Sequence, residues 1–238
     1  MSGAAVPGDR LMLKGPELWL GGVVVAMAPF ISVLDLTLVN IILPHIAGSF
    51  GATPREATLV VTFFAIAQAI SMPLSGWLAG RFGAAKVFHA SLIGFAAASF
   101  LCGAAPTLNL LIAARILQGA FAGPILPLSQ SILQRTFPPK YAPVALTAWS
   151  VAMMAGPLLG PTLGGLLADS IGWQWGFFIN VPLVAACTVL SFRLFAKRDT
   201  PTVRTPIDAV GLILMIVWVG ALQTVLDYGH EKDWVASP

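Results

Sequence analysis

The sequence predicts an all-α membrane protein with seven transmembrane helices, and three observations carry that prediction. Hydrophobic residues make up 57% of the 238-residue chain and charged residues only 10%, well under half the roughly 25% charge of soluble domains. The apolar residues gather in seven runs broken by short polar segments, each near the roughly 20 residues that cross a bilayer core. Pro and Gly recur inside those runs. Pro is tolerated there better than in a water-exposed helix, because neighbouring helices satisfy the carbonyl it leaves free. So few charges would not keep a soluble surface dispersed, and the lipid bilayer is the expected partner. The net charge of +3 excludes a nucleic-acid binder. Cys102 and Cys187 both fall in apolar runs and suggest no disulfide framework.

Each element follows in order. Residues 1–17 form a short, mildly basic tail; the long apolar run after it, and the further runs beyond, argue against a cleaved signal peptide. The first helix covers about 18–43 and is expected to end near Pro44. The second covers about 56–79, and Thr53-Pro54 with Glu56 nearby makes a good helix start. The third covers about 86–105 and follows the loop GWLAGRFGAAKVF, so short that these two helices must be antiparallel neighbours. Gly76, Gly80 and Gly83 are expected to permit a tight turn and close approach there. The fourth helix covers about 108–133, the fifth about 142–168, the sixth about 174–195 and the seventh about 207–228.

Orientation follows from Lys and Arg. Arg10, Lys14, Arg81, Lys86, Arg135, Lys140, Arg193, Lys197, Arg198 and Arg204 lie on the side of the N-terminus, against only Arg55 and Lys232 opposite. A cytoplasmic N-terminus is expected, and seven crossings then place residue 238 outside. An odd helix count with an abrupt external end is expected of part of a longer chain; a complete seven-helix protein is the alternative.

Two charges stand inside the apolar runs. Asp35 lies in SVLDLTLVNIILP, followed by Thr37 and Asn40 as cavity candidates. Arg115 lies in LLIAARILQGAFAGP, with Gln118 three positions later on nearly the same face. A charge in lipid is costly, so each should face the bundle or a cavity. Asp35 precedes Pro44 by nine residues, about 13 Å of helix, and Arg115 follows the start of its helix by about 10 Å, which puts them at comparable depth. Apolar surroundings favour a protonated carboxyl and a guanidinium favours an ionised one, so Asp35 suits proton coupling. The alternative is a fixed ion pair holding two helices together. Gln118 is placed either to orient the guanidinium or to bind substrate. Asn180, inside the sixth helix, is a further cavity candidate, and Trp173 and Trp175 at its outer end read as interface anchors.

In the fifth helix Ala152, Gly156, Gly160 and Gly164 recur every four residues, with Gly165 adjacent and Pro157 and Pro161 following two of the glycines. Such a stripe lets another backbone approach closely and is either plain packing or a surface on which helices rock. The prolines are expected to bend the helix. His45, His89 and His230 fit no metal spacing, no phosphate loop is present, and no nucleophile constellation appears. A cofactor is therefore not expected, nor is an enzyme.

These segments together resemble the major facilitator superfamily, and more closely its fourteen-helix branch of drug:proton antiporters. LDLTLVNIILP (34–44) resembles that branch's first-helix signature at Asp35, Thr37, Val39, Asn40 and Pro44. ARILQGAFAGP (114–124) resembles its fourth-helix motif at Arg115, Gln118 and Gly119, with Phe121 where a glycine is usual. GPLLGPTLGG (156–165) resembles the antiporter motif, WQWGFFINVP (173–182) has Gln174 in place of arginine, and LDYGHEKDW (226–234) resembles the end of the branch's seventh helix. GWLAGRFGAAKV (76–87) departs most: Gly76, Arg81 and Gly83 remain, but Gly80 replaces an aspartate and Ala84 and Ala85 replace basic residues. By the resemblance, that aspartate caps and charge-pairs helices in the outward-facing state, so its absence leaves three expectations open: a different lock, altered kinetics or impaired function.

The resemblance implies a multi-pass bacterial inner-membrane protein. Residues 18–198 would form the N-terminal six-helix domain, a three-plus-three inverted repeat. Residues 199–229 would be a cytoplasmic linker and seventh helix, and 230–238 an external tail. It implies proton-coupled efflux of amphipathic, cationic or neutral small molecules by alternating access, driven by the proton gradient. Asp35 would be the proton-responsive carboxylate and Arg115 its partner, with a C-terminal half expected in cis. The alternatives are an importer or specific metabolite exporter of the same fold, and a non-transporting membrane subunit or gene fragment.

Overall fold

The computed structural model describes residues 12–196, 198–199, 202 and 208–229, with side chains undescribed at a few positions near the end of the last helix. The chain is all-α: α1 (Pro16–Phe50), α2 (Pro54–Phe82), α3 (Ala84–Gly103), α4 (Leu108–Thr136), α5 (Ala142–Ser170), α6 (Trp175–Phe178), α7 (Asn180–Phe195) and α8 (Ala209–Gly229). Six spans are long and apolar enough to cross a membrane, α6 and α7 together forming the sixth; in α8 the apolar stretch is the shorter Val210–Leu222. The resemblance at 226–234 and the proposed external tail lie outside the described residues or side chains.

Two boundaries differ from expectation for physical reasons. Helix α1 runs through Pro44 to Phe50 and stops at Gly51, whose φ of 60° is left-handed. A single missing N–H leaves one carbonyl free, which a helix among neighbours tolerates. The expected sixth helix is broken at Ile179, since Pro182 offers no N–H to the carbonyl of Phe178 four residues earlier. Helix α5, by contrast, stays helical through Pro157 and Pro161. At the N-terminus, Leu13 is fully buried and its N–H donates to the Thr136 carbonyl at 2.7 Å, so this part of the tail is seated against the end of α4.

Helix pairing has the symmetry of two inverted three-helix repeats. Helix α1 packs on α5 and α4 packs on α2; α3 packs on α4 as α7 packs on α1. Exchanging α1 with α4, α2 with α5, and α3 with the α6–α7 pair maps this pattern onto itself. Small residues make the two closest pairings possible. A Cβ at Gly119 or Gly123 would overlap the α2 backbone or Ser71, and one at Gly156, Gly160 or Gly164 would press on α1 between Val33 and Ile41. The fifth-helix stripe is thus a packing surface against α1. Gly76, Gly80 and Gly165 face open space among the described residues, so the close approach expected at Gly76 and Gly80 is not made by this part of the protein. Phe121, in place of the usual glycine, lays its ring where a Cβ at Gly94 of α3 would stand.

The α2–α3 turn has its own lock. Gly83 has φ 98°, a conformation that costs other residues strain. The Asp199 carboxyl, from beyond α7, occupies the space a Gly83 Cβ would need. Its Oδ1 accepts from the Ala85 N–H at 3.0 Å, and Lys86 Nζ lies 3.9 Å from Oδ2. A carboxylate at a helix N-terminus is favoured by the helix dipole. Gly83→Ala is expected to lower stability by about 2 kcal/mol through backbone strain and expulsion of the carboxyl. In Asp199→Ala the same glycine change should cost measurably less, a non-additivity readable by thermal unfolding in detergent.

Candidate functional site

One polar layer crosses the bundle between two apolar clusters. On one side lie Ile31, Phe64, Phe95, Ala122 and Val184; on the other lie Leu38, Val60, Cys102, Leu111 and Phe177. Four helices contribute side chains to the layer from between these positions. Asp35 comes from α1, Ser99 from α3, Arg115 and Gln118 from α4, and Asn180 from the first residue of α7; all are fully buried.

Arg115 Nη1 donates to Asp35 Oδ2 at 2.6 Å, with both side chains at 0% exposure. The comparable depth expected of the two residues is therefore a direct contact. Because α1 continues to Phe50, Asp35 lies fifteen residues from that end rather than nine from Pro44, about 22 Å of helix. Helix α4 starts only seven residues before Arg115, so the C-terminal end of α1 and the start of α4 are staggered.

The guanidinium is held on several sides. Its Nε donates to the Val60 carbonyl at 3.2 Å and Nη1 also to Gln118 Oε1 at 2.6 Å. The Phe64 ring centroid lies 4.0 Å from Cζ and that of Phe177 5.5 Å, a cation–π setting on two faces. Gln118 thus meets both members of the pair. Its Nε2 donates to Asp35 Oδ1 at 3.1 Å and to Ser99 Oγ at 2.7 Å, and the Cys102 thiol lies 3.5 Å from its Oε1. Asn180 Nδ2 donates to Asp35 Oδ1 at 2.6 Å. The carboxylate so receives three donors and one formal counter-charge, which compensates the cost of burying it. Among the described residues Arg115 Nη2 and Asn180 Oδ1 have no hydrogen-bond partner.

The other expected site residues fall elsewhere. Thr37 Oγ1 donates to carbonyls of its own helix and lies 3.3 Å from the Gly156 carbonyl, so it joins α1 to α5. Asn40 is exposed and donates to the Leu36 carbonyl at 2.9 Å. Arg81 is exposed over the rings of Trp77 and Phe82, at 5.4 and 5.7 Å. Trp173 is not an interface anchor: it is 4% exposed, donates to Ser49 Oγ at 3.0 Å and packs on Phe50 and Phe177. Trp175 remains half exposed.

Sequence reading missed Ser99 in the layer, Cys102, Phe64 and Phe177 against it, and Asp199 at the α2–α3 turn. Ser99 and Cys102 carried a usable signal: two small polar residues three apart on one face of an apolar helix. Among the described residues no cluster of three or more His, Cys, Asp or Glu could hold a metal.

A sequence profile of the Major Facilitator Superfamily matches residues 25–226. The chain is 44% identical over 225 residues to the multidrug export protein EmrB of Haemophilus influenzae, covering 94% of this chain and 44% of that protein. It is 46% identical over 229 residues to the fatty acid resistance protein FarB of Neisseria gonorrhoeae, covering 96% and 45%. It therefore spans less than half the length of these curated relatives. A crystal structure of the peptide transporter POT with sulfate superposes with a TM-score of 0.70 at 14% identity, over 98% of this chain and 51% of that one. The human organic anion transporter MFSD10 gives 0.65 at 20% identity, over 84% and 54%. Both share the fold. The chain belongs to the Major Facilitator Superfamily, as the N-terminal six-helix half of a multi-pass inner-membrane transporter of the multidrug-efflux-related type.

Proposed function

We propose that this chain is the N-terminal part of a proton-coupled exporter of small amphipathic molecules, with Asp35 as the group that takes the proton and Arg115 as its electrostatic partner. The observation that carries the reading is the fully buried Asp35–Arg115 pair, set in a single polar layer between two apolar clusters. An ionisable pair buried inside a membrane bundle marks a functional site by default. When Asp35 takes a proton, Arg115 loses its counter-charge and the layer becomes net positive in an apolar setting. The arrangement that suits the ionised carboxylate then ceases to suit the protonated one, and the conformational preference of the bundle changes with it.

The printed names of the relatives, multidrug export and fatty acid resistance, support amphipathic cargo and outward direction. In this reading residues 18–198 move as one unit, α1 and α5 being held together at Gly156, Gly160 and Gly164. Residues 199–229 are the linker and seventh helix, and the tail of 1–17 is cytoplasmic with 230–238 outside. A second set of helices in cis completes the alternating-access site. The proton gradient supplies the energy without a cofactor. Asp199 supplies at α3 a carboxylate that position 80 lacks.

The test is proton-driven uptake into inverted vesicles bearing the intact gene product, native against Asp35→Asn, normalised to folded protein. Native vesicles are expected to accumulate substrate on acidification of the lumen, and the variant only to the level of passive leak. Substrate binding in detergent should persist in both. Unchanged coupling in Asp35→Asn would remove Asp35 from the mechanism and leave the pair a structural tie.

A further inference from the structure

We propose that Asn180 reads the protonation state of Asp35: its side-chain amide donates to the ionised carboxylate and turns over to accept from the carboxylic acid. The inference rests on the reading of Asp35 as the proton site and adds a positioning residue to it.

The argument is one of hydrogen-bond inventory. An ionised carboxylate only accepts, and a protonated one must also donate. The Asp35 oxygens meet donors alone: Arg115 Nη1 at Oδ2, and Gln118 Nε2 and Asn180 Nδ2 at Oδ1. A new O–H inside this ring has no acceptor unless one amide reverses. Gln118 is tied at both ends. Its Oε1 accepts from Arg115 Nη1 and its Nε2 donates to Ser99 Oγ, so reversing it would set an N–H against the guanidinium N–H. Asn180 is tied at one end only. Its Oδ1 is buried and, among the described residues, without a hydrogen-bond partner, so a half-turn of its amide gives up no bond at the far side. The turned oxygen then faces Asp35 Oδ1 and can accept its proton. The proton comes from hydronium and returns to water: one hydronium O–H breaks as the Asp35 O–H forms, and no other covalent bond changes.

Position makes this reversal consequential. Asn180 begins α7 just after the break at Ile179, where the helix ladder is interrupted by Pro182. A change in what Asn180 holds is therefore felt where α6 meets α7 in the sixth span. The remaining groups around the pair do not offer the same switch. Arg115 faces Asp35 from α4, and Cys102 on α3 meets Gln118 rather than Asp35. Helix α2 brings the Val60 carbonyl and Phe64, and α6 brings Phe177, all against Arg115.

Infrared difference spectra of the purified intact transporter, titrated with pH, test the inference. The Asp35 carboxyl band is identified by its loss in Asp35→Asn. In the native protein, one asparagine side-chain amide band should shift with the same pH midpoint. Asn180→Leu should abolish that amide change and raise the carboxyl stretching frequency, because the O–H then donates to nothing. It should also raise the midpoint by about one pH unit, a tenfold gain in proton affinity, since a charge-assisted bond is lost from the ionised form and only a neutral one from the acid. Asn180→Ser, small enough to admit a water, should bring the midpoint back toward native. A native amide band that ignores pH, or an Asn180→Leu protein with native midpoint and carboxyl band, overturns the inference. A spectrum in which no carboxyl band depends on Asp35 instead removes the proton reading beneath it.

Discussion

Replacing Arg115 by Met is expected to cost about 3–5 kcal/mol of stability, and adding Asp35→Asn in the same chain is expected to return most of it. The first change leaves the Asp35 carboxylate fully buried with two amide donors and no counter-charge. Removing one member of a buried pair is expensive because the other has no water to return to. Met fills much of the Arg115 volume between Phe64 and Phe177, and a thioether packs well against aromatic rings. With Asn at position 35, the remaining polar groups are neutral and Gln118 and Asn180 can still bond to its amide. Asp35→Asn alone should cost less than Arg115→Met, since its amide keeps an acceptor oxygen for the guanidinium. Thermal unfolding of the four proteins in one detergent gives the cycle. Simple additivity of the two single losses would mean that the pair is not coupled, and would sink the account of the layer given above. The double variant should also remain unable to couple transport to protons, which separates the role of the pair in folding from its role in function.

The sequence made part of this layer legible, and the physical reasons for the division are specific. Asp35 and Arg115 stood out because charge in an apolar run has one economical explanation, an interior partner at the same depth. Pairing itself was not readable, because depth along a helix does not fix which way a residue faces. Ser99 and Cys102 escaped notice because small polar side chains are common in membrane helices and cost little there. Thr37 and Asn40 share the signature that contains Asp35, yet both turn away from it; at two and five positions along an α-helix they lie on other faces. Trp173 was misread for a related reason. A Trp at the end of an apolar run matches an interface anchor equally well in sequence whether it points at lipid or, as here, in toward Phe50 and Phe177. Asp199 lies more than a hundred residues from Ala85, which it caps, and nothing local in either segment announces the contact.

The glycines show the same limit more sharply, and they carry the second large prediction. Gly123→Ala is expected to destabilise the protein by about 2 kcal/mol, whereas Gly76→Ala, Gly80→Ala and Gly165→Ala should be neutral or stabilising by up to about 1 kcal/mol through helix propensity. A Cβ at Gly123 would overlap Ser71 Oγ and stand 2.6 Å from the Gln68 carbonyl oxygen and 2.8 Å from the Met72 nitrogen. Two of those three neighbours are backbone, so no rotamer change relieves the contact; α2 and α4 must move apart. At Gly76, Gly80 and Gly165 nothing lies within 4 Å among the described residues. All four positions are helical, and no pattern in the sequence ranks them. What separates them is which face of each helix meets another backbone, a property of the assembled bundle. The unfolding temperatures of the four variants decide the matter, and equal losses at the open and closed glycines would refute the packing account. A further outcome would be informative in the intact transporter: stability kept but transport lost in Gly76→Ala or Gly80→Ala. The close approach expected at those positions would then belong to a moving contact with helices beyond this six-helix bundle, made only during part of the transport cycle.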